Sequence, residues 1–176
     1  MTIVFVGGVH GVGKSTCCAE IAGQLDYLHI AASAVIRQER ADAIASKGKL
    51  VADVPGNQEL LRRGFERMKL SAGHEMILLD GHFALRDSER AIQSVPSDVF
   101  ASLGIQHLIC FVDTPIAIAE RMNSRDGEEV QLGDVSELQA AELGTARAVA
   151  LALGIQLTVL DGLDVEGLRK TLLGLR

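Results

Sequence analysis

A doubly wound α/β fold, with a five-stranded parallel sheet flanked by helices in three layers, is what this sequence predicts. Three observations predict it. Five short apolar runs recur along the chain, each too brief for a helix. Helical patterns separate them. Between the first run and the first helix stands Gly8-Val-His-Gly-Val-Gly13-Lys14-Ser15, which meets the pattern G-x-x-x-x-G-K-[ST] at every fixed position.

The elements follow in order. TIVFVG (2–7) reads as a buried strand, because continuous apolar runs suit parallel strands covered on both faces. A helix over Lys14 to Leu25 follows the glycine turn. YLHIA (27–31) is a weaker strand. Ser33 reads as the N-cap of a helix to about Lys47, with Gly48 just past its end. Asn57 reads as the cap of a helix to about Leu70. MILLD (76–80) and HLICFVD (107–113) are strong strands. Thr114 and Pro115 form a cap and a first-turn proline, opening a helix to about Ser124. SELQ (136–139) reads as a capping box that opens a long helix to about Leu153. IQLTVLD (155–161) is the last strand, and Asp164 caps the terminal helix. No repeat, low-complexity tract or linker interrupts the chain, so residues 1–176 read as a single domain. The stretches 48–56 and 126–135 are the candidate mobile loops.

Composition excludes several classes. Apolar residues make up 48% of the 176, enough for a real core. The net charge of −6 argues against a broad nucleic-acid surface. Cys17, Cys18 and Cys110 form no C-x-x-C pair and fit a reducing cytosol. The start, MTIVFVGG, lacks a basic segment and does not read as a signal peptide. No apolar stretch approaches the ~18 residues of a membrane span. The expectation is a cytoplasmic protein away from membranes. A protein partner is not legible in the residues.

The glycine turn carries the clearest chemistry. Gly8, Gly11 and Gly13 let successive backbone N–H groups turn toward an anion, and the helix after them presents its positive end to the same point. Val12 and Thr16 complete the segment around the phosphates of ATP. Lys14 reaches the β- and γ-phosphates, and the Ser15 hydroxyl ligates Mg²⁺. His10 reads as turned out of the loop or packed on a strand end, with no catalytic role. Asp80 ends a buried strand at the edge where ligands bind in open α/β sheets, and its carboxylate suits a metal-bound water. His82 faces the same cleft or packs away from it. Asp113 reads as structural.

At these residues a family enters. GGVHGVGKST (7–16), AASAVIR (31–37), ILLDGHFALR (77–86) and FVDTPIAIAERMNSR (111–125) stand in the order found in nucleoside monophosphate kinases. The sequence resembles most the compact, short-lid adenylate kinases of the archaeal type, over roughly residues 2 to 160. The resemblance implies a P-loop NTPase fold, ATP with Mg²⁺, an acceptor-binding helical segment at about 31–72 and a short lid at about 121–136. It implies that Ser33, Arg37 and Arg86 hold the acceptor. It implies that Arg121 and Arg125 clamp the transferring phosphoryl group at the lid, with Lys14 and Asp80 completing the catalytic set and Asp80 near Mg²⁺. Arg147 is a further lid-side charge on that reading. The planar guanidinium pairs bidentately with phosphate, so arginines are suited to such a cleft. Arg62, Arg63 and Arg67 read as surface charges. The sequence departs from the family at His10, where many of these kinases carry proline, and in the acidic segment DGEEVQLGD (126–134).

Three expectations follow. The first is transfer of the ATP γ-phosphoryl group to an AMP-like nucleoside monophosphate, whose own phosphate oxygen attacks without a base. The second is a small-molecule alcohol kinase of the shikimate or gluconate type, with Asp80 as the base. The third is a nucleotide-responsive ATPase or regulatory module that acts through a protein partner.

Overall fold

The first apolar run becomes the middle of the sheet. In the computed structural model, which describes residues 1–47, 56–71, 73–87, 89–127 and 130–175, β1 (Thr2–Gly7) pairs on both sides with parallel strands. The full order is β2 (Leu28–Ala31), β3 (Met76–Asp80), β1, β6 (His107–Val112), β7 (Gln156–Asp161), every pairing parallel. The alternation in the sequence therefore yields the expected five-stranded sheet. Its helices are α1 (Lys14–Leu25), α2 (Ala32–Lys47), α3 (Asn57–Ser71), α5 (Pro115–Asp126), α6 (Leu132–Leu153) and α7 (Val165–Leu173).

Both faces of β1 are buried, as an all-apolar strand requires. Ile3 and Phe5 point into one core with Ile77, Leu79, Phe83, Phe100 and Leu108. Val4 and Val6 point into the other with Ile21, Ile109, Phe111, Ile118 and Leu168. Few aromatics serve here, but they are concentrated: Phe5 meets Phe83 and Phe100 edge-on, both at 4.9 Å between ring centroids.

Several local expectations are refined. Ser33 lies inside the first turn of α2, because Ala32 already follows β2 without a break. Asn57 is the first residue of α3 and not its cap. SELQ lies inside α6, which begins at Leu132 after Gln131; no side chain caps it. Thr114 does cap α5, its hydroxyl accepting Ala117 N–H at 3.2 Å, and Asp164 caps α7 through Gly167 N–H at 2.7 Å. A small hairpin, β4 (Ala84–Arg86) against β5 (Ile92–Ser94), and the short helix α4 (Ser97–Ser102) were not anticipated. Three-residue strands are too short for periodicity to mark. The expected cap at Gly48 and most of the 48–56 stretch lie outside the described residues, as do residues 128 and 129 of the lid.

Arg62, Arg63 and Arg67 work within the helices. Arg62 pairs with Glu59 on the surface of α3. Arg63 and Arg67 both reach Glu39, a buried carboxylate on α2. Gly64 lets that approach happen, since a Cβ there would lie 2.5 Å from Val35 Cγ1. Among the described residues, no helix is long and apolar enough to cross a membrane.

Candidate active site

The turn between β1 and α1 has the backbone that its glycines predict. Gly8, Gly11 and Gly13 have φ of 142°, 77° and 100°, a region that L side chains rarely adopt. Space forbids a side chain too: a Cβ on Gly8 would lie 2.6 Å from the Phe111 carbonyl oxygen. Val12 serves differently from its neighbours, its side chain fully buried in the core and anchoring the loop from below. Thr16 and Ser15 open α1 and are exposed.

Lys14 is buried. Burial pushes its amine below the ordinary lysine value, while Asp80 and Glu142 oppose that drop. Asp80 sits beside it because β3 and β1 are in register, Val6 opposite Asp80. Burial raises the Asp80 carboxyl, but hydrogen bonds from His29 and Ser15 and the charge of Lys14 outweigh that and hold it below the usual aspartate range. His29 Nε2 lies 3.2 Å from Asp80 Oδ2. A hydroxyl and an ionised carboxylate side by side are hard oxygen donors, so Ser15 and Asp80 fit Mg²⁺.

Arg121 and Arg125 lie one helical turn apart on α5 and line the same cavity, about 260 Å³, as Gly13, Lys14, Ser15 and Thr16. They are not equivalent. Arg121 Nε donates to the Gly11 carbonyl at 2.6 Å, and its Nη2 donates to Asp113 Oδ2 at 2.6 Å. It therefore braces the glycine turn, and Asp113 has the structural role its position suggested. Arg125 is exposed at the mouth.

Ser33 and Arg37 are exposed on the first turns of α2, which starts where β2 ends opposite Asp80. Four residues apart, they share a helix face. Arg86 is elsewhere, on the β4–β5 hairpin, where it donates to Glu137 Oε2 at 2.7 Å and to Asp134 Oδ1 at 3.3 Å. Arg147 is exposed in the second half of α6, two turns before the end that leads into β7.

Three participants escaped the sequence reading. Glu142, fully buried on α6, accepts Phe83 N–H at 2.6 Å and lies 2.7 Å from His82 Nδ1. The His82 ring in turn stacks obliquely on His10 at 4.4 Å. His10 therefore packs against His82, two residues past the end of β3, and lines the cavity beside Lys14 rather than turning out of the loop. His29 and Leu163 complete the set; Leu163 covers Gly13 and lines the nucleotide cavity. A lone glutamate in an apolar helical stretch was the available signal for Glu142.

A family profile described as "AAA domain" matches residues 7–139, more than half of the chain. The chain belongs to this family. The phosphate loop, the acidic strand end and the α5 arginines all fall inside the matched span. Among curated proteins, a UMP-CMP kinase of Danio rerio is 34% identical over 90 residues, covering 45% of each chain. The chain thus spans less than half the length of the curated relatives it matches. Among solved structures, TT1252 from Thermus thermophilus superposes with a TM-score of 0.62 at 14% identity, over 98% of this chain and 96% of that one. A gluconokinase from Sinorhizobium meliloti 1021 gives a TM-score of 0.50 at 18% identity, over 92% of this chain and 82% of that one. At such identities the likeness is one of fold: the α/β P-loop fold.

Proposed function

We propose that this P-loop protein is an ATP- and Mg²⁺-dependent phosphotransferase acting on a nucleoside monophosphate, AMP-like in size. One observation carries the reading. Lys14, Ser15, Arg121 and Arg125 line a single cavity, and Asp80 is hydrogen-bonded to Ser15 behind it. The resemblance to compact adenylate kinases and the partial match to a UMP-CMP kinase support the acceptor class.

The chain's own groups account for the work. The glycine-turn amides and the start of α1 hold the donor phosphates. Lys14 pairs with the β- and γ-oxygens. Ser15 and Asp80 would hold Mg²⁺, which would supply charge neutralisation. Arg125 closes over the transferring group, while Arg121 keeps the turn in shape. Phosphoryl transfer asks mostly for position and charge. An acceptor phosphate along the Ser33–Arg37 face brings its own anionic oxygen and needs no base. Three buried free thiols support a reducing cytoplasmic location.

The test is a panel of nucleoside monophosphates with ATP and Mg²⁺. Formation of a diphosphate from one of them is the expected result; hydrolysis of ATP with no acceptor phosphorylated would sink the proposal.

A hydroxyl-bearing acceptor is the second reading, and the His82–Glu142 pair favours it. A histidine oriented by a buried carboxylate beside a phosphate loop suits removal of a hydroxyl proton. Asp80 is less suited, because its depressed pKa makes it a weak base. On this reading His82→Asn abolishes transfer to a sugar acid while ATP still binds. Equal loss of transfer and binding would count against it.

A further inference from the structure

We propose that His10 is a further catalytic residue, whose imidazole donates a hydrogen bond to the phosphoryl group in transfer. The inference rests on the phosphotransferase reading and deepens it at the donor phosphates, whatever the acceptor.

The nucleotide cavity has few cations for its task. Among the described residues that line it, Lys14, Arg121 and Arg125 are the basic ones. Arg121 is committed to the Gly11 carbonyl and to Asp113. The lid segment DGEEVQLGD (126–134) contains no lysine or arginine. A phosphoryl group in transfer spreads negative charge over its equatorial oxygens. Lys14 and Arg125 meet part of that charge, and a further donor aimed at it lowers the barrier.

His10 is held where such a donor acts. Its backbone is fixed from both sides. Val9 is buried in the core, and Arg121 Nε donates to the Gly11 carbonyl at 2.6 Å. Gly11 also lies close against α5, where a Cβ on it would be 2.5 Å from Met122 Cγ. Between these two anchors His10 is exposed and lines the nucleotide cavity with Lys14 and Ser15.

A chain of contacts that starts in the core places its ring. Glu142, fully buried, accepts Phe83 N–H at 2.6 Å and Ala84 N–H at 3.3 Å, so the backbone fixes the carboxylate. His82 Nδ1–H donates to the same carboxylate at 2.7 Å. The His82 ring then packs on His10, with 4.4 Å between centroids and 51° between planes. That contact takes a face of the His10 imidazole, whereas an imidazole N–H lies in the ring plane and is offered at the rim. The ring carries at least one N–H as the neutral form or as the cation, so donation needs no change of protonation. A donor set in place beforehand costs little reorganisation as charge develops. The histidine inside the glycine turn thereby gains a role.

The experiment measures the affinity of the full chain for ADP with Mg²⁺ by calorimetry, with and without aluminium fluoride, which takes the place of the transferring phosphoryl group. The unmodified chain is expected to bind ADP more tightly when the fluoride is present. His10→Phe keeps a ring on His82 and loses the donor. It is expected to keep its melting temperature and its affinity for ADP alone, and to lose about tenfold of the fluoride-dependent gain, the scale of one hydrogen bond to a charged group. His10→Gln loses the ring, keeps an N–H donor and is expected to restore most of the gain. The proposal is overturned if the unmodified chain shows no gain, or if His10→Phe retains it. It is overturned equally if His10→Phe weakens ADP by the same factor with and without the fluoride, which is the mark of a packing role, or if His10→Gln falls as far as His10→Phe. No acceptor is present in this assay, so a chain that shows the gain and phosphorylates no nucleoside monophosphate fails the acceptor reading alone.

Discussion

Glu142 accepts hydrogen bonds from the backbone that follows the acidic strand and lies 2.7 Å from His82 Nδ1, so α6 is fastened to the loop beside the phosphate site by one buried carboxylate. The link joins the middle of α6 to the residues two to four places after Asp80. Its removal leaves the Phe83 and Ala84 N–H groups in an apolar core without an acceptor. Glu142→Ala is expected to cost roughly 3–5 kcal/mol, and Glu142→Gln, which keeps one acceptor oxygen, ~1–3 kcal/mol. Urea unfolding of both variants measures it; equal and small losses would mean the loop finds other partners.

Arg121 and Arg125 are predicted to separate stability from catalysis. Arg121→Ala removes the braces to Gly11 and Asp113, with an expected loss of about 1–3 kcal/mol and a weakened affinity for ATP. Arg125→Ala, at an exposed position on the same helix, is expected to change stability by no more than about 0.5 kcal/mol. Its turnover is expected to fall roughly 10²–10³-fold, the scale seen when one donor to a transition-state charge is lost. Thermal melts and steady-state rates on the two variants decide whether the roles divide this way.

Gly8→Ala tests the glycine turn where space is tightest. The new Cβ would meet the Phe111 carbonyl oxygen on β6, which cannot retreat without disturbing the sheet. A loss of roughly 1–3 kcal/mol is expected, together with loss of ATP binding. An unaltered affinity in a destabilised chain would show that the loop tolerates a shifted strand.

The thiols give a pH prediction. Burial pushes the Cys110 thiol up to about 12 from 9.0. A folded-state pKa raised above the unfolded one contributes stability that is complete below the unfolded value and fades as pH rises through the folded value. Stability should therefore decline between about pH 9 and 12, and Cys110→Ala should soften that decline. Burial raises Cys17 and Cys18 as well, so a thiol reagent at pH 8 should label all three only after unfolding. Rapid labelling of the native chain would contradict the packing.

Much of the architecture was written in local pattern. Five apolar runs became five parallel strands because a strand covered on both faces has no polar side to display. The glycine turn was legible because a backbone that must curl around phosphate admits few residue types. Asp80 was legible as a strand end, and register then set it beside Lys14. Thr114 and Asp164 were legible because capping acts over three residues.

Tertiary structure decided what depends on partners far apart in the chain. Arg86 looked like a hand for the acceptor, yet only the packing of α6 against the hairpin brings Asp134 and Glu137 onto it, some fifty residues on. Arg121 and Arg125 share a spacing and differ in duty, because the Gly11 carbonyl lies within reach of Arg121. Glu142 meets His82 across sixty positions, and nothing local announces the pairing. Periodicity and capping are short-range rules and survive in a string of letters. Charge pairing in a cleft is a matter of distance, and distance exists only once the chain has folded.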